Sequence, residues 1–460
     1  MIRALTCLSA ALMALAAPAA ERTPPVRRLA ETPFERAWDL PLGSGAHIGW
    51  WNHRLPETVF VQVEDGRAVY AIETMTGLTR WVSQPLPELI KPSVFPGASR
   101  FTFRADNGAE QHEDRLWLVS QERLFSLDGS SGHVVWSWLL PYSPSTGFVA
   151  QGRGESLRVT SGDWEGRTRT LTYHEGKSLP YELWQWNMLT SVTAMPAVAD
   201  DQIYVGDHEG VVSAFKPDRE RVWATDLGGP VRATPLPRGQ LLYVGNDDHV
   251  ISALNRFSGE RLAHIVLDGP ILRAPFAYAA EPERLYAWVH HEDAGRRGLQ
   301  AIKVQPDRVP FTGGDGRSPT LPPDRNPPPL DTVRMSREWF LAGITAVVAS
   351  TPEHLMVKRE GDDLIHALNR RRGAIDWSWN PGEQQDSSAA RVTVIEYQDP
   401  SDLVRTIFTI NPRGQFIAYR LQGYKPAETR QATEDRIAEL VGNRAREKAA
   451  EGPKPAEPAK

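Results

Sequence analysis

The chain contains one run of residues twice, and this internal repeat constrains its fold more than any other feature. Residues 203–223 read IYVGDHEGVVSAFKPDRERVW, and residues 242–262 read LYVGNDDHVISALNRFSGERL. Each copy has two runs of strand-forming residues around a polar turn rich in Gly, Asn and Asp, which is typical of a β-hairpin. A single sheet built on one hairpin cannot bury both faces, so we expect the copies to pack against each other.

The same pattern recurs more loosely along the chain as a small residue followed, about ten positions later, by an apolar residue that is usually Trp. The pairs are Ala71 and Trp81, Ser126 and Trp136, His174 and Trp184, Ala214 and Trp223, Ala253 and Ala263, Ala301 and Phe311, and Ala367 and Trp377, and Ala418 begins an eighth unit. Units of roughly 40–50 residues with several short strands predict a β-propeller. We therefore expect an all-β fold of eight four-stranded antiparallel blades over residues 34–424.

Two residue types in these units have a predicted structural role in docking one blade on the next. A glycine four residues before the end of a unit would permit the bend between the third and fourth strands. The large flat ring of Trp would close the gap between adjacent blades. The predicted docking residues are Gly77, Trp81, Gly132, Trp136, Trp184, Trp223, Gly259, Gly373 and Trp377.

The phrase "YVG–turn–VxALxxxTGxxxW" resembles the repeat of quinoprotein-type (PQQ-like) eight-bladed propellers. The resemblance covers about residues 57–422. It implies the propeller fold, with the Trp docking one blade on the next. The family includes quinone-dependent dehydrogenases and also cofactor-free scaffolds, such as the propeller lipoprotein of the outer-membrane β-barrel assembly machinery, to which this repeat is closest in style.

The ends of the chain differ in composition from the repeats. Residues 1–20 read as a secretory signal, because Arg3 precedes an apolar run and a small-residue cleavage region. The only cysteine, Cys7, lies inside that apolar run, so we expect no lipid anchor and no thiol after cleavage. Residues 21–33 are predicted to be a flexible lead, and residues 34–51 to supply a strand that closes the last blade.

Other segments are predicted to be additions to the propeller. Residues 307–330 are a Pro/Gly-rich insertion on one face, and residues 339–350 are an apolar run suited to a buried strand pair. Residues 425–460 form a tail, in which residues 428–450 have the pattern of a charged helix with a narrow apolar stripe. The net charge of −5 does not favour a nucleic-acid or anionic-membrane partner.

A second phrase recurs between units, at residues 191–196, 230–235 and 270–275. We expect these segments to begin the innermost strands of three successive blades. Their polar members Thr193, Arg232 and Arg273 are then candidate binding residues at the mouth of the central channel, where Arg would bind carboxylates. The alternative is that both arginines pair with Asp or Glu of neighbouring blades.

The residues give little support for a catalytic or metal site. The acidic runs at 207–209 and 246–249 occupy the hairpin turn of the repeat and are too short for a Ca²⁺ loop. No hydrolase, zinc-protease or phosphate-loop motif is present. We assign no catalytic, cofactor-binding or metal residue.

We therefore expect an exported, periplasmic or secreted, monomeric propeller that binds protein partners in the bacterial envelope, in the assembly of outer-membrane proteins, without a cofactor. The alternative is an alcohol or sugar dehydrogenase that uses PQQ with calcium.

Overall fold

The computed structural model of the chain describes residues 24–43, 47–50, 57–63, 68–86, 97–104, 110–120, 123–153, 156–174, 180–188, 190–199, 202–278, 281–293, 296–307, 332–384, 393–394, 406–411 and 413–423. These residues are almost entirely β-strands, and the helical segments among them are two short 3-10 helices at Leu29–Glu31 and Pro381–Gln384. The expected all-β class is confirmed over this part of the chain.

The described strands form eight small sheets, and most of them are four-stranded antiparallel meanders. The first sheet contains His47–Trp50, Thr58–Val63, Ala68–Glu73 and Thr79–Val82. The second contains Gly97–Arg104, Glu110–Ser120, Arg123–Asp128 and Val134–Leu139, and the third contains Val149–Arg153, Ser156–Gly162, Arg167–His174 and Tyr181–Asn187. The fourth contains Ala197–Ala199, Gln202–Gly206, Val211–Phe215 and Arg221–Asp226, and the fifth contains Leu236–Arg238, Leu241–Gly245, Val250–Asn255 and Arg261–Val266.

The last three sheets depart from this regular pattern. The sixth has three described strands, Arg284–Val289, Gly298–Asp307 and Thr332–Ala342, which correspond to the second, third and fourth strands of the other sheets and are called so below. The seventh has Ile344–Ser350, His354–Arg359, Ile365–Asn369 and Ile375–Trp379, and the eighth has Thr393–Val394, Thr406–Ile410 and Gln415–Leu421. The apolar run at 339–350 is therefore shared between the end of the sixth sheet and the start of the seventh; it is not a pair within one sheet.

Residues near the start of the described chain complete the last two sheets. Phe34–Pro41 pairs antiparallel with Gln415–Leu421 and is the fourth strand of the eighth sheet, as predicted. Val26–Arg27 pairs in parallel with Ile375–Trp379 as a fifth strand of the seventh sheet. The expected flexible lead is corrected in part, because Val26 and Arg27 pair with the seventh sheet and Leu29 is buried.

A small residue on the third strand lies opposite the docking position on the fourth strand in every sheet. The pairs are Ala71 and Trp81, Ser126 and Trp136, Thr170 and Trp184, Ala214 and Trp223, Ala253 and Ala263, Ala301 and Trp339, Ala367 and Trp377, and Ala418 and Trp38. A β-bulge lies next to each pair, so the eight sheets share one local geometry.

Two of the predicted pairs are corrected by this register. In the third sheet the partner of Trp184 is Thr170, not His174, because the turn after the third strand is longer than in the other units. In the sixth sheet the partner of Ala301 is Trp339, because the insertion separates the two strands; Phe311 lies outside the described residues. A fixed spacing of about ten residues therefore does not identify the docking residue where the segment between these two strands is longer.

The predicted glycines contact the indole of the preceding sheet. Gly77, Gly132, Gly259 and Gly373 have φ values of 73°, 73°, 75° and 69° and lie against Trp38, Trp81, Trp223 and Trp339. A Cβ atom on Gly77 would lie 2.6 Å from Cδ2 of Trp38. The glycine thus permits the turn, and it also admits the neighbouring ring.

The indole nitrogen makes a second link across the same seam between sheets. Nε1 of Trp81 donates to the carbonyl of Gly129 at 2.8 Å, and Nε1 of Trp223 donates to that of Arg256 at 2.9 Å. Trp38, Trp184 and Trp339 make equivalent bonds to Thr74, Pro217 and Arg370. Trp136 lies 5.6 Å from the ring of Tyr173 in the third sheet, and Trp377 is buried in one cluster with Ile407 and Phe408 of the eighth.

The seam between the fifth and sixth sheets is closed without an indole, because Ala263 occupies the docking position. Val304, Val333 and Met335 of the sixth sheet join Ala263 in one apolar cluster. Arg337 adds a polar link to Asp268 at 3.0 Å. The long third and fourth strands of the sixth sheet therefore fill the space that a ring fills elsewhere.

The buried side chains form clusters that bridge consecutive sheets. One cluster joins Phe60 of the first sheet to Phe125 of the second, and another joins Tyr204 of the fourth to Val244 of the fifth. The cluster of the eighth sheet includes Val59 and Ile72 of the first, so the last sheet contacts the first as well as the seventh. The predicted signal at 1–20, the insertion beyond Asp307, and the tail at 425–460 lie outside the described residues.

Candidate functional site

Three connections between sheets, residues 191–196, 230–235 and 270–275, lie where the recurrent phrase was expected to begin innermost strands. The first two lead into Ala197–Ala199 and Leu236–Arg238, the first strands of the fourth and fifth sheets. The third leads to Phe276, which forms a single antiparallel bridge with Tyr286. We call these connections the mouth segments.

An apolar residue fixes each mouth segment on a glycine of the preceding sheet. Val192, Val231 and Ile271 lie against Gly162, Gly206 and Gly245, which end the second strands of the third, fourth and fifth sheets. A Cβ atom on Gly206 would lie 2.5 Å from Cγ1 of Val231, so only glycine admits this packing. The repeated glycine therefore positions the polar residues that follow Val192, Val231 and Ile271.

Hairpin turns of the fourth, fifth and sixth sheets lie beside the mouth segments. The backbone N–H groups of His208, Asp247 and His290 donate to the carbonyls of Ser191, Pro230 and Pro270 at 3.0, 2.9 and 2.9 Å. The mouth segments and turns 207–210, 246–249 and 290–293 therefore form one continuous surface at the same end of the sheets. We call it the mouth surface.

Thr193 links the first mouth segment to the second, and Arg232 links the second mouth segment to a turn of the fifth sheet. The Thr193 hydroxyl donates to the Val231 carbonyl at 2.6 Å, which places it beside Arg232. Nε of Arg232 donates to Oδ2 of Asp247 at 2.7 Å, while about half of the Arg232 side chain remains exposed. Arg232 therefore pairs with an acidic residue, as the alternative predicted, but that residue belongs to the fifth sheet, into which the segment of Arg232 itself leads, and not to a neighbouring sheet.

Arg273 is oriented by the sixth and seventh sheets. Its guanidinium lies 4.2 Å from the ring centroid of Trp288, and Nη1 donates to the Thr345 carbonyl at 2.7 Å. The side chain is exposed, and its charge is held in place over an aromatic face. The structure thus gives both arginines a defined orientation on the mouth surface, and both present part of a guanidinium to solvent.

The acidic turns are explained by hydrogen bonds within the repeat. Oδ1 of Asp207 accepts from the N–H groups of Glu209 and Val211 at 3.1 and 2.8 Å, and Oδ1 of Asn246 accepts from Val250 at 3.0 Å. Burial raises the pKa of the Asp207 carboxyl, although these backbone donors oppose the shift. These side chains stabilise turns and do not converge on a common ligand.

The calcium that accompanies the quinone in the dehydrogenases with PQQ-like repeats needs a cluster of oxygen ligands. Calcium prefers six to eight oxygen ligands, with carboxylates prominent among them. Nowhere in the described ranges do three or more Asp, Glu, His or Cys side chains gather around one point. Among the helices of these ranges there is also none with the length and apolarity needed to cross a membrane.

Sequence reasoning missed a buried chain of Ser, His and Asp in the seventh sheet. Nδ1 of His366 lies 2.7 Å from the Ser378 hydroxyl, and its Nε2 lies 2.9 Å from Oδ2 of Asp362. The register of two paired strands brings His366 and Ser378 together, and no sequence motif predicts this contact. Ser378 is 1% exposed and its N–H donates to Pro25, so a substrate has no access to this hydroxyl.

The central repeats match a known family. Residues 181–307 match the sequence profile of the family described as outer membrane protein assembly factor BamB. This range spans the strand before the first mouth segment through the third strand of the sixth sheet. Comparison with curated protein sequences gives no significant match.

Two solved structures share the overall fold. BamB from Moraxella catarrhalis is 14% identical, with a TM-score of 0.53 over 85% of this chain and 99% of that chain. Sqt1 from Saccharomyces cerevisiae is 9% identical, with a TM-score of 0.52 over 84% of this chain and 98% of that one. The resemblance to PQQ-like repeats is thus confirmed: the central repeats match the profile of the BamB family, and the chain has a propeller-like fold similar to that of BamB.

Proposed function

We propose that this protein is a non-catalytic scaffold of the bacterial cell envelope that binds proteins during the assembly of the outer membrane. The match of residues 181–307 to the assembly-factor family carries this proposal. The matched range contains all three mouth segments, and therefore Thr193, Arg232 and Arg273. The proposal includes export by a cleaved signal at residues 1–20 and function as a periplasmic monomer.

The proposed architecture is a closed disc of eight blades. The eight described sheets, the strand that residues 34–41 add to the last of them, and the contact of the eighth sheet with the first support it. Closure removes free sheet edges and holds the connecting loops rigid. A rigid ring of loops suits protein recognition, because little conformational entropy is lost on binding.

The mouth surface is the proposed binding surface, with Arg232 and Arg273 as its charged contacts. Guanidinium groups that are already oriented bind carboxylates through charge-assisted hydrogen bonds at low entropic cost. Arginine is also enriched among residues that dominate the energy of protein interfaces. In this proposal, a partner carboxylate would compete with Asp247 for Arg232.

A capture experiment tests the proposal. The purified mature protein is immobilised, exposed to detergent-solubilised bacterial envelopes, and the bound proteins are quantified by mass spectrometry. Outer-membrane barrel proteins or their assembly factors should be enriched by the wild type and lost with Arg232→Glu. Arg261→Glu, the same charge change at an exposed position on the fourth strand of the fifth sheet, is the control and should retain them.

The cofactor-free part of the proposal has its own test. The protein is mixed with PQQ and Ca²⁺, the absorbance of bound quinone is recorded after gel filtration, and dye-linked oxidation of alcohols and sugars is assayed. No retained quinone and no turnover are expected. Stoichiometric quinone binding with turnover would replace the scaffold by the dehydrogenase alternative.

A further inference from the structure

The first sheet exposes two large aliphatic side chains at its turn and on its fourth strand. Leu78, in the turn before the fourth strand, is 66% exposed, and Val82, on that strand, is 46% exposed. Exposed apolar residues that stand alone are ordinary on protein surfaces, so these two positions are compared with their equivalents in the other repeats.

The equivalent residues of the other repeats provide the comparison. The position of Leu78, directly after the turn glycine or its counterpart Arg219, is occupied elsewhere by His133, Glu220, Glu260 and Ala374. The position of Val82, directly after the docking residue, is occupied elsewhere by Asp39, Ser137, Gln185, Ala224, His264, Phe340 and Ser378. The first sheet is the described unit in which both positions carry a large aliphatic side chain, so we infer that something covers them.

Close to its C-terminal end, the described chain contacts the turn of the first sheet that precedes Leu78. Arg420, on the strand Gln415–Leu421, donates from Nη2 to the carbonyls of Thr74 and Met75 at 3.1 and 2.9 Å. Those carbonyls belong to the turn that leads to Leu78. Residues 424–460 therefore continue from Gly423, close to the exposed side chains of the first sheet.

The following segment carries a matching apolar stripe. Ile437, Leu440 and Val441 have the i, i+3, i+4 spacing of one helical face, and charged residues surround them in sequence. If residues 428–450 form a helix, the linker from Gly423 to residue 428 spans up to about 17 Å and the helix as far as Ile437 adds about 14 Å. Length therefore does not prevent the stripe from reaching Leu78 and Val82.

We propose that residues 428–450 dock as a helix on the first sheet, with Ile437, Leu440 and Val441 covering Leu78 and Val82. A short helix with a narrow apolar face is marginal alone and gains stability from packing. The tether supplies a high effective concentration, so a small apolar contact is enough to hold it. The docked helix would extend the seam at which the eighth sheet meets the first.

Cysteine pairs in the full chain test this proposal. In a Cys7→Ser background, Leu78→Cys is combined with Leu440→Cys, and the control combines Val266→Cys with Leu440→Cys. Val266 is 52% exposed on the fourth strand of the fifth sheet, so it matches Leu78 in exposure but not in location. Because both variants change exposed positions and the same tail residue, equal thermal melting should confirm that both fold.

The proposal predicts intramolecular disulfide formation on the order of tenfold faster in the Leu78 pair than in the Val266 pair, at a rate independent of protein concentration. Equal rates in the two pairs would show a solvated tail, and cross-linked dimers would show that a second copy covers the site; either overturns the proposal. As an independent measurement, Leu440→Asp should increase hydrogen exchange of residues 78–82, and unchanged exchange would contradict docking.

Discussion

The ring of Trp223 lies so close to Gly259 in the next sheet that a Cβ on Gly259 would be 2.6 Å from the indole Cδ2. Gly259 also has a φ of 75°, which L side chains adopt at a cost. We predict that Gly259→Ala lowers the free energy of unfolding by about 2–4 kcal/mol, combining backbone strain with overpacking.

Gly361→Ala separates the two effects. Gly361 has a φ of 85°, but no atom lies within 4 Å of a Cβ built on it. Gly361→Ala should therefore lower the free energy of unfolding only through backbone strain, by about 1–2 kcal/mol. Urea unfolding of both variants measures the difference. Equal losses would mean that the contact between ring and glycine contributes nothing to the seam.

The identification of Trp339 as the docking indole of the sixth sheet leads to a second prediction. Trp339 donates to the Arg370 carbonyl at 2.9 Å and lies against Gly373. Trp339 is half-buried, so Trp339→Ala should cost about 2–4 kcal/mol of unfolding free energy, somewhat less than a fully buried aromatic would. Trp164→Ala, at a 64% exposed indole, should change it by less than about 0.5 kcal/mol. Similar effects of the two substitutions on thermal unfolding would argue against this docking role.

Asp207 offers a stabilising substitution that the second copy of the repeat already contains. Among the described residues Oδ2 of Asp207 has no hydrogen-bond partner, whereas the equivalent Asn246 has no charge to bury. Asp207→Asn should therefore raise the unfolding free energy at pH 7 by about 1 kcal/mol, since Oδ1 still accepts the turn N–H groups.

The pH dependence of this gain follows from the raised pKa of Asp207. A carboxyl whose folded pKa exceeds its unfolded value contributes full stability below the unfolded pKa and loses it as pH rises through the folded pKa. The advantage of Asp207→Asn should therefore vanish in acid, where the native carboxyl is protonated. Chemical unfolding of the wild type and the variant, at pH 7 and in acid, measures the difference in unfolding free energy. A destabilised variant at pH 7 would refute the prediction.

His366 should make the protein less stable in mild acid. Burial lowers the pKa of its imidazole below 6.5, although Asp362 opposes this shift, while Arg359 and Lys358 reinforce it. The unfolded chain then binds more protons than the folded chain, so stability is lost as pH falls below about 6.5. His366→Gln should reduce the difference in unfolding free energy between pH 7.5 and 5.5. An unchanged difference would show that His366 does not titrate as proposed.

Much of this fold follows from local sequence, because each repeat encodes its own hairpin. The copies at 203–223 and 242–262 predict their strands and turns, and Trp81, Trp223 and their glycines mark the seams. The register between strands that are distant in sequence is harder to predict. Trp339 was missed because an insertion displaces it, and Trp38 because it reaches the last sheet from the other end of the chain.

The candidate site was predictable only in part. The recurrent phrase predicts the mouth segments, since Val192, Val231 and Ile271 need the repeated glycines beneath them. The partner of Arg232 is a turn residue of the next copy, which spacing does not reveal. The contact between His366 and Ser378 could not be predicted either, because it depends on the register of two paired strands.

The most direct test of the account is photo-crosslinking in intact bacteria that make this protein, with a photoreactive residue at His208 or at Arg261. His208 is exposed on the mouth surface, and Arg261 is exposed on the fourth strand of the fifth sheet. The account predicts adducts with outer-membrane proteins or their assembly factors from position 208 and not from 261. Absent adducts, or the same adducts from both positions, would contradict a binding role for the mouth surface.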